Sequence, residues 1–109
     1  MAGISTHVLD ITRGRPAAGM AVELSIRDTD ADTWFMVAEG VTDHDGRVGR
    51  LMDDARPGVY RLWFDVGSYL GPEGFFPEVT VVFRVDERGR GYHVPLLLSP
   101  FGYSTYRGS

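Results

Sequence analysis

The sequence predicts an all-β protein, a sandwich of two sheets built from about eight short strands with one short helix. Three observations carry that expectation. Apolar and polar residues alternate at period two over much of the chain, the pattern of strands with one buried face. Glycine and proline signals cut the alternation into short runs. The length of 109 residues suits one domain, because compact domains usually hold about 100–150 residues, so residues 1–109 are taken as a single unit. A domain of this size buries only about two-thirds of the surface its unfolded chain exposes. Association with other copies would add burial.

The elements follow in order. A first strand is expected over Ser5–Ile11, ended by Gly14-Arg15-Pro16. In Met20–Arg27 the apolar set Met20, Val22, Leu24 and Ile26 shares one face. Less regular strands are expected at Thr33–Ala38 and Arg47–Leu51, with the turn Asp43-His44-Asp45-Gly46 between them. After Arg56-Pro57-Gly58, the run Val59–Val66 sets Tyr60, Leu62, Phe64 and Val66 on one face and Arg61 and Asp65 on the other. The one helix, a turn or two around Val66–Leu70, must stop at Gly71-Pro72, since proline removes a donor and clashes with the preceding turn. Val79, Val81, Phe83 and Val85 mark the next strand, with Thr80 and Arg84 opposite. A turn at Arg88–Gly91 leads to a strand at Tyr92–Ser99, and Pro100-Phe101-Gly102 separates it from a last one at Tyr103–Arg107. Pro95 cannot donate to a ladder, which marks its strand as irregular or near an edge.

Composition excludes several classes of function. The net charge is −4, whereas a nucleic-acid surface needs a clustered basic footprint. There is no cysteine, so disulfides, thiolate metal sites and cysteine nucleophiles are out. No apolar run approaches the ~20 residues that span a bilayer. The residues Met1–His7 lack the basic and apolar regions of a secretory signal, so the expected compartment is the cytoplasm.

The remaining chemical inventory is His, Arg, Ser and carboxylates. Alternation puts His7 with Ser5 and Leu9, opposite Ile4 and Val8; His93 alternates against Tyr92, Val94 and Leu96. Both imidazoles should therefore leave the core, as surface or structural groups or as functional ones. The third histidine, His44, sits in the aspartate-rich turn. Asp43, Asp45, Asp53 and Asp54 fit no calcium loop, and aspartate favours turns by bonding its own backbone; no metal site is expected. Arg47 follows that turn, either as a solvated strand-start residue or as an anion clamp with a planar fork of donors. The closing Tyr106-Arg107-Gly108-Ser109 follows the apolar Val94–Leu98, so it is expected to dock and to carry a carboxylate to a fixed place.

Two terminal segments resemble those of the 5-hydroxyisourate hydrolases, a family on the transthyretin-like (prealbumin-like) fold. They are Ser5-Thr6-His7-Val8-Leu9-Asp10 with Gly14 and Pro16-Ala17, and the run from Tyr92 through Tyr106-Arg107-Gly108-Ser109. The final four residues separate the hydrolases from transthyretin, the hormone carrier. Phe75–Val79 adds support, and Thr42-Asp43 with Gly46-Arg47 and Pro57–Leu62 supports the fold alone; Ile11 departs from a small polar residue. The resemblance implies catalytic His7, Arg47, His93 and Ser109, with substrate held by His7, Arg47, Tyr106 and Arg107. It further implies no cofactor, a homotetramer made as a dimer of dimers, and active sites at the dimer–dimer interface.

The reaction so implied, in urate (purine) breakdown, adds water to a ring carbonyl of 5-hydroxyisourate and breaks the adjacent carbon–nitrogen bond. Histidine, with a pKa near ~6.5, suits removal of the water proton near neutral pH. His7 and His93 are read as a pair whose order of action the sequence leaves open. Arg47 would hold negative charge on the attacked oxygen. Ser109 would orient water or a histidine, through its hydroxyl or its carboxylate. The competing readings are a small-ligand carrier without chemistry and a structural sandwich module.

Overall fold

A computed structural model describes residues 3–86 and 90–108 of the chain. Those residues form nine strands and one helix in two sheets. The first sheet holds β1 (Ile4–Asp10), β2 (Arg15–Pro16), β5 (Arg47–Met52), β8 (Tyr92–Ser99) and β9 (Gly102–Thr105). Its strands run in the order β2-β1-β8-β9, with β5 on the same side of β1 as β2. The second holds β3 (Ala21–Asp28), β4 (Thr33–Val41), β6 (Gly58–Phe64) and β7 (Val79–Val85), all antiparallel in the order β4-β3-β6-β7. The all-β sandwich with one short helix is therefore as the alternation predicts.

Period two sets the core. Ile4, Val8, Leu96 and Leu98 of the first sheet pack with Val22, Leu24, Leu62 and Phe64 of the second, each fully buried. Each such side chain stabilises the fold by about 1.5–3 kcal/mol relative to exposure. Two polar residues go in with them because they are satisfied there. Thr6 Oγ1 donates to the Val94 carbonyl at 2.6 Å. Asp10 accepts the N–H groups of Thr12 and Arg13 and the Tyr69 hydroxyl. Burial raises the Asp10 pKa, but these donors and the nearby Arg13 guanidinium outweigh it and leave it below the ordinary value.

β7, β8 and the helix α1 (Val66–Leu70) lie where the pattern places them. Gly71, at φ 79°, ends the helix before Pro72. No helix among the described residues is long and apolar enough to cross a membrane. β4 runs on to Val41 rather than stopping at Ala38, and the two-residue β2 is a strand the pattern does not announce. The turn expected at Arg88–Gly91 lies partly outside the described residues.

One expectation is corrected. Pro95 stands on β8, which is no edge: β1 pairs it on one side and β9 on the other. The irregularity falls on the partner instead. The register that pairs Leu97 with Ser104 continues to His93 with Gly108, which puts Pro95 opposite Tyr106. Proline has no N–H to give there. The ladder lapses, so β9 ends at Thr105, short of the expected Arg107.

Candidate active site

Strand pairing brings together residues that are far apart in sequence. On β1, Ile4, Thr6 and Val8 point into the core, which leaves Ser5 and His7 half-buried on the outer face. The antiparallel pairing of β5 sets Arg47 directly opposite His7. The parallel pairing of β8 sets His93 opposite Ser5. The His7 and His93 rings consequently lie 6.4 Å apart, centroid to centroid, on one outer surface.

The turn before β5 is built to lie on β1. Asp43 Oδ1 accepts the N–H groups of Asp45 and Arg47, at 2.9 and 3.0 Å. The Arg47 N–H bond is the main reason the Asp43 pKa is lowered. Gly46 adopts φ +76°, and a Cβ there would come within 2.4 Å of the Val8 carbonyl oxygen. Only glycine fits both demands. With the turn so placed, Val8 N–H bonds the Gly46 carbonyl, and the Asp45 carbonyl reaches His7 Nε2 at 2.9 Å. A carbonyl only accepts, so His7 Nε2 carries a proton, and neutral His7 holds its lone pair on Nδ1.

His93 is set differently. Its Nδ1 is 2.8 Å from the Ser5 hydroxyl. Burial, then the Arg47 charge, then His7 all lower its pKa below the ordinary 6.5. That shift favours the uncharged imidazole, on the same face as the exposed Arg47 across β1.

The closing segment docks on the same histidine. Gly108 N–H donates to the His93 carbonyl at 2.8 Å. A Cβ on Gly108 would lie 2.6 Å from His93 Cδ2, so the tail passes against the ring itself. Arg107 stacks with its Cζ 4.4 Å from the Tyr92 ring centre, and Thr105 Oγ1 donates to the Pro95 carbonyl. An open groove runs over Ser5, His93 and Gly108, rimmed by Arg50, Arg90 and Arg107.

The structure thus brings together His7, Arg47 and His93 on one face, while Arg107 lines the groove beside His93 with its guanidinium on Tyr92. Tyr106 is exposed, and Ser109 lies outside the described residues. Ser5 and Gly108 are additions. The signal for Ser5 was its place on the His7 face of the same strand; for Gly108, nothing short of the pairing reveals the contact. Asp43, His44 and Asp45 bring one potential metal-ligand atom each within 4.8 Å, all exposed. Asp43 is already engaged by two backbone N–H groups, as an aspartate-rich turn requires. A neutral imidazole, a second imidazole and a guanidinium on one face can take a proton and stabilise an oxyanion.

Comparison with known proteins decides the lineage. Residues 4–108 match the model of the HIUase/Transthyretin family. The chain belongs to that family. Its likeness to the 5-hydroxyisourate hydrolase of Caulobacter vibrioides is 44% identity over 118 residues, covering all of both chains. It is 48% identical over 120 residues to the uric acid degradation bifunctional protein of Arabidopsis thaliana, covering 97% of this chain and 37% of that one. Among solved structures, Klebsiella pneumoniae 5-hydroxyisourate hydrolase matches at TM-score 0.85 and 34% identity over the whole of both chains. Sea bream transthyretin in complex with thyroxine matches at TM-score 0.91 and 34% identity, over 98% of this chain and 95% of that one. Membership in the HIUase/Transthyretin family agrees with the resemblance of the terminal segments. Because the fold is common to hydrolase and carrier, function has to be argued from the outer face of β1, β5 and β8.

Proposed function

We propose that this protein hydrolyses 5-hydroxyisourate to 2-oxo-4-hydroxy-4-carboxy-5-ureidoimidazoline in urate degradation. The observation that carries the reading is a half-buried imidazole, His93, on the same outer face as Arg47 and with its ring 6.4 Å from that of His7. A carrier has no need of that arrangement. The hydrolase relatives support the same conclusion.

His93 takes a proton from water as the oxygen attacks the ring carbonyl carbon. Arg47 holds the oxyanion that forms, and the adjacent carbon–nitrogen bond breaks. The leaving nitrogen receives the proton back from His93, and the carbonyl carbon ends as a carboxylate. His7, the register partner of Arg47, orients the ring. Arg107 and Tyr106 contribute to binding, and Ser109 orients water or a histidine. No cofactor enters this scheme. Ultraviolet absorbance of freshly made 5-hydroxyisourate should decay faster with the protein than without it. An unchanged decay, with the ligand bound, would instead favour the carrier reading suggested by the thyroxine-bound sea bream relative.

The proposal includes a homotetramer, a dimer of dimers with sites between dimers, and a cytoplasmic location. The open groove at His93 supports completion by a second copy. Light scattering should report about four chains per particle, closed symmetric assemblies being the common outcome. A fully active monomer would refute sites formed between dimers.

A further inference from the structure

We propose that Ser5 is a positioning residue of this site: its hydroxyl accepts the Nδ1–H of His93 and turns the Nε2 lone pair toward the groove. The direction of the bond rests on the hydrolase reading, in which His93 takes the proton of water. The placement of the groups rests on geometry alone.

Ser5 and His93 are register partners on parallel β1 and β8, so their side chains leave the sheet on the same face. Oγ and Nδ1 are 2.8 Å apart. On the other side of the ring, the Gly108 backbone sits so close that a Cβ there would meet His93 Cδ2 at 2.6 Å. The imidazole is held between a hydroxyl on one edge and a glycine on the other. A half-turn of the ring would put a carbon against the hydroxyl and Nδ1 against Gly108, with the hydrogen bond lost. Ser5 therefore selects one of the two ring orientations.

It also selects the tautomer. A neutral imidazole carries one proton, and a base acting through Nε2 must carry it on Nδ1. Serine oxygen can accept that proton's hydrogen bond and still direct its own hydrogen elsewhere. The bond persists when His93 becomes imidazolium, so the same contact serves before and after proton transfer. His7 offers a contrast. Its Nε2 proton is committed to the Asp45 carbonyl, which leaves only Nδ1 as a base.

The experiment pairs kinetics with nitrogen-15 NMR of histidine-labelled full-length protein. Wild-type His93 should show a protonated Nδ1 and an unprotonated Nε2 above the acid limb of activity. Ser5→Ala should lower kcat about tenfold, the equivalent of one lost hydrogen bond, leave KM nearly unchanged, and mix the tautomers. Ser5→Thr keeps the hydroxyl and should restore most of the rate. A protonated Nε2 in the wild type, or a folded Ser5→Ala protein with wild-type kcat, overturns the proposal. If the wild type does not hydrolyse 5-hydroxyisourate at all, the hydrolase reading fails, while the NMR still judges the Ser5–His93 bond.

Discussion

The outer faces of the two sheets carry similar side chains and meet different fates. On the second sheet, Trp34 lies under Arg61, whose Cζ is 4.6 Å from the ring centre, with Arg27 at 5.9 Å. Trp63 Nε1 donates to Glu78 nearby. Those groups are satisfied on the sheet's own surface. On the first sheet, two other stretches of chain lie alongside the strands that carry the histidines, the turn Asp43–Gly46 beside β1 and the tail Arg107–Gly108 beside β8. They supply a carbonyl to His7 and a glycine against the His93 ring, and Arg47, the first residue of β5 after that turn, adds a positive charge that acts on His93. Arginine and aromatic residues on a strand face do not make a site. Partial burial by neighbouring chain does, because it shifts an imidazole's proton affinity and fixes its orientation.

The largest loss is expected from removing the tail that lies beside β8. Deleting Tyr106 to Ser109 should abolish turnover of 5-hydroxyisourate while circular dichroism and thermal melting report a folded sandwich, since Tyr106 and Arg107 are exposed. Ser109→Ala should cost less than the deletion. A folded truncation working at the wild-type rate would remove the tail from the site. His93→Ala and Arg47→Ala should each lower kcat by about 100- to 1000-fold, the usual cost of a well-placed electrostatic donor. The matching substitution on the other face, Arg61→Ala, should leave turnover within about twofold of wild type, well below any such loss.

A smaller effect comes through pH. His93 is held below the ordinary value of 6.5 by burial first and by the Arg47 and His7 charges next. The acid limb of kcat/KM should therefore fall below that pH. Removing a positive neighbour lets the imidazole keep its proton to higher pH, so in Arg47→Met the limb should move upward. Folding follows the same sign: a depressed folded-state pKa stabilises above the unfolded value and loses that contribution as pH falls through it. An acid limb unmoved in Arg47→Met would show that the guanidinium does not act on His93. The smallest effect belongs to the second sheet, where Arg61→Ala should lower stability by about 0.5–1 kcal/mol through the lost contact with Trp34, measured by urea melting.

How far the sequence reaches is clearest at particular residues. β7, β8 and α1 were legible because strong alternation or Gly71-Pro72 bounded them. β4 was legible only in part: its consecutive residues Phe35, Met36 and Val37 are all exposed, so hydrophobicity there does not track burial. Two-residue β2 is too short for any period. His7 and His93 could be placed on outer faces from alternation, but their proximity depends on the parallel register of β1 and β8, which no local pattern encodes. The same holds for Arg47 opposite His7 and for Gly108 against the ring. Pro95 was legible as an irregularity, and the sequence misplaced its consequence, which falls on β9.

The parallel pairing of β1 with β8 has a kinetic consequence. Ser5 and His93 are separated by 88 positions, and parallel neighbours at such separation pay the cost of loop closure before any contact rewards it. The second sheet, made of hairpins and antiparallel neighbours, can assemble while β1 still lacks its main partner. During synthesis β1 emerges well before β8 and must wait, with one edge unpaired, until β8 has left the ribosome. The site is thus among the last parts of the molecule to exist. In refolding, its histidine signals should appear with the slowest phase, after those of Trp34 and Trp63, so activity reports completion of the fold more stringently than far-ultraviolet dichroism does.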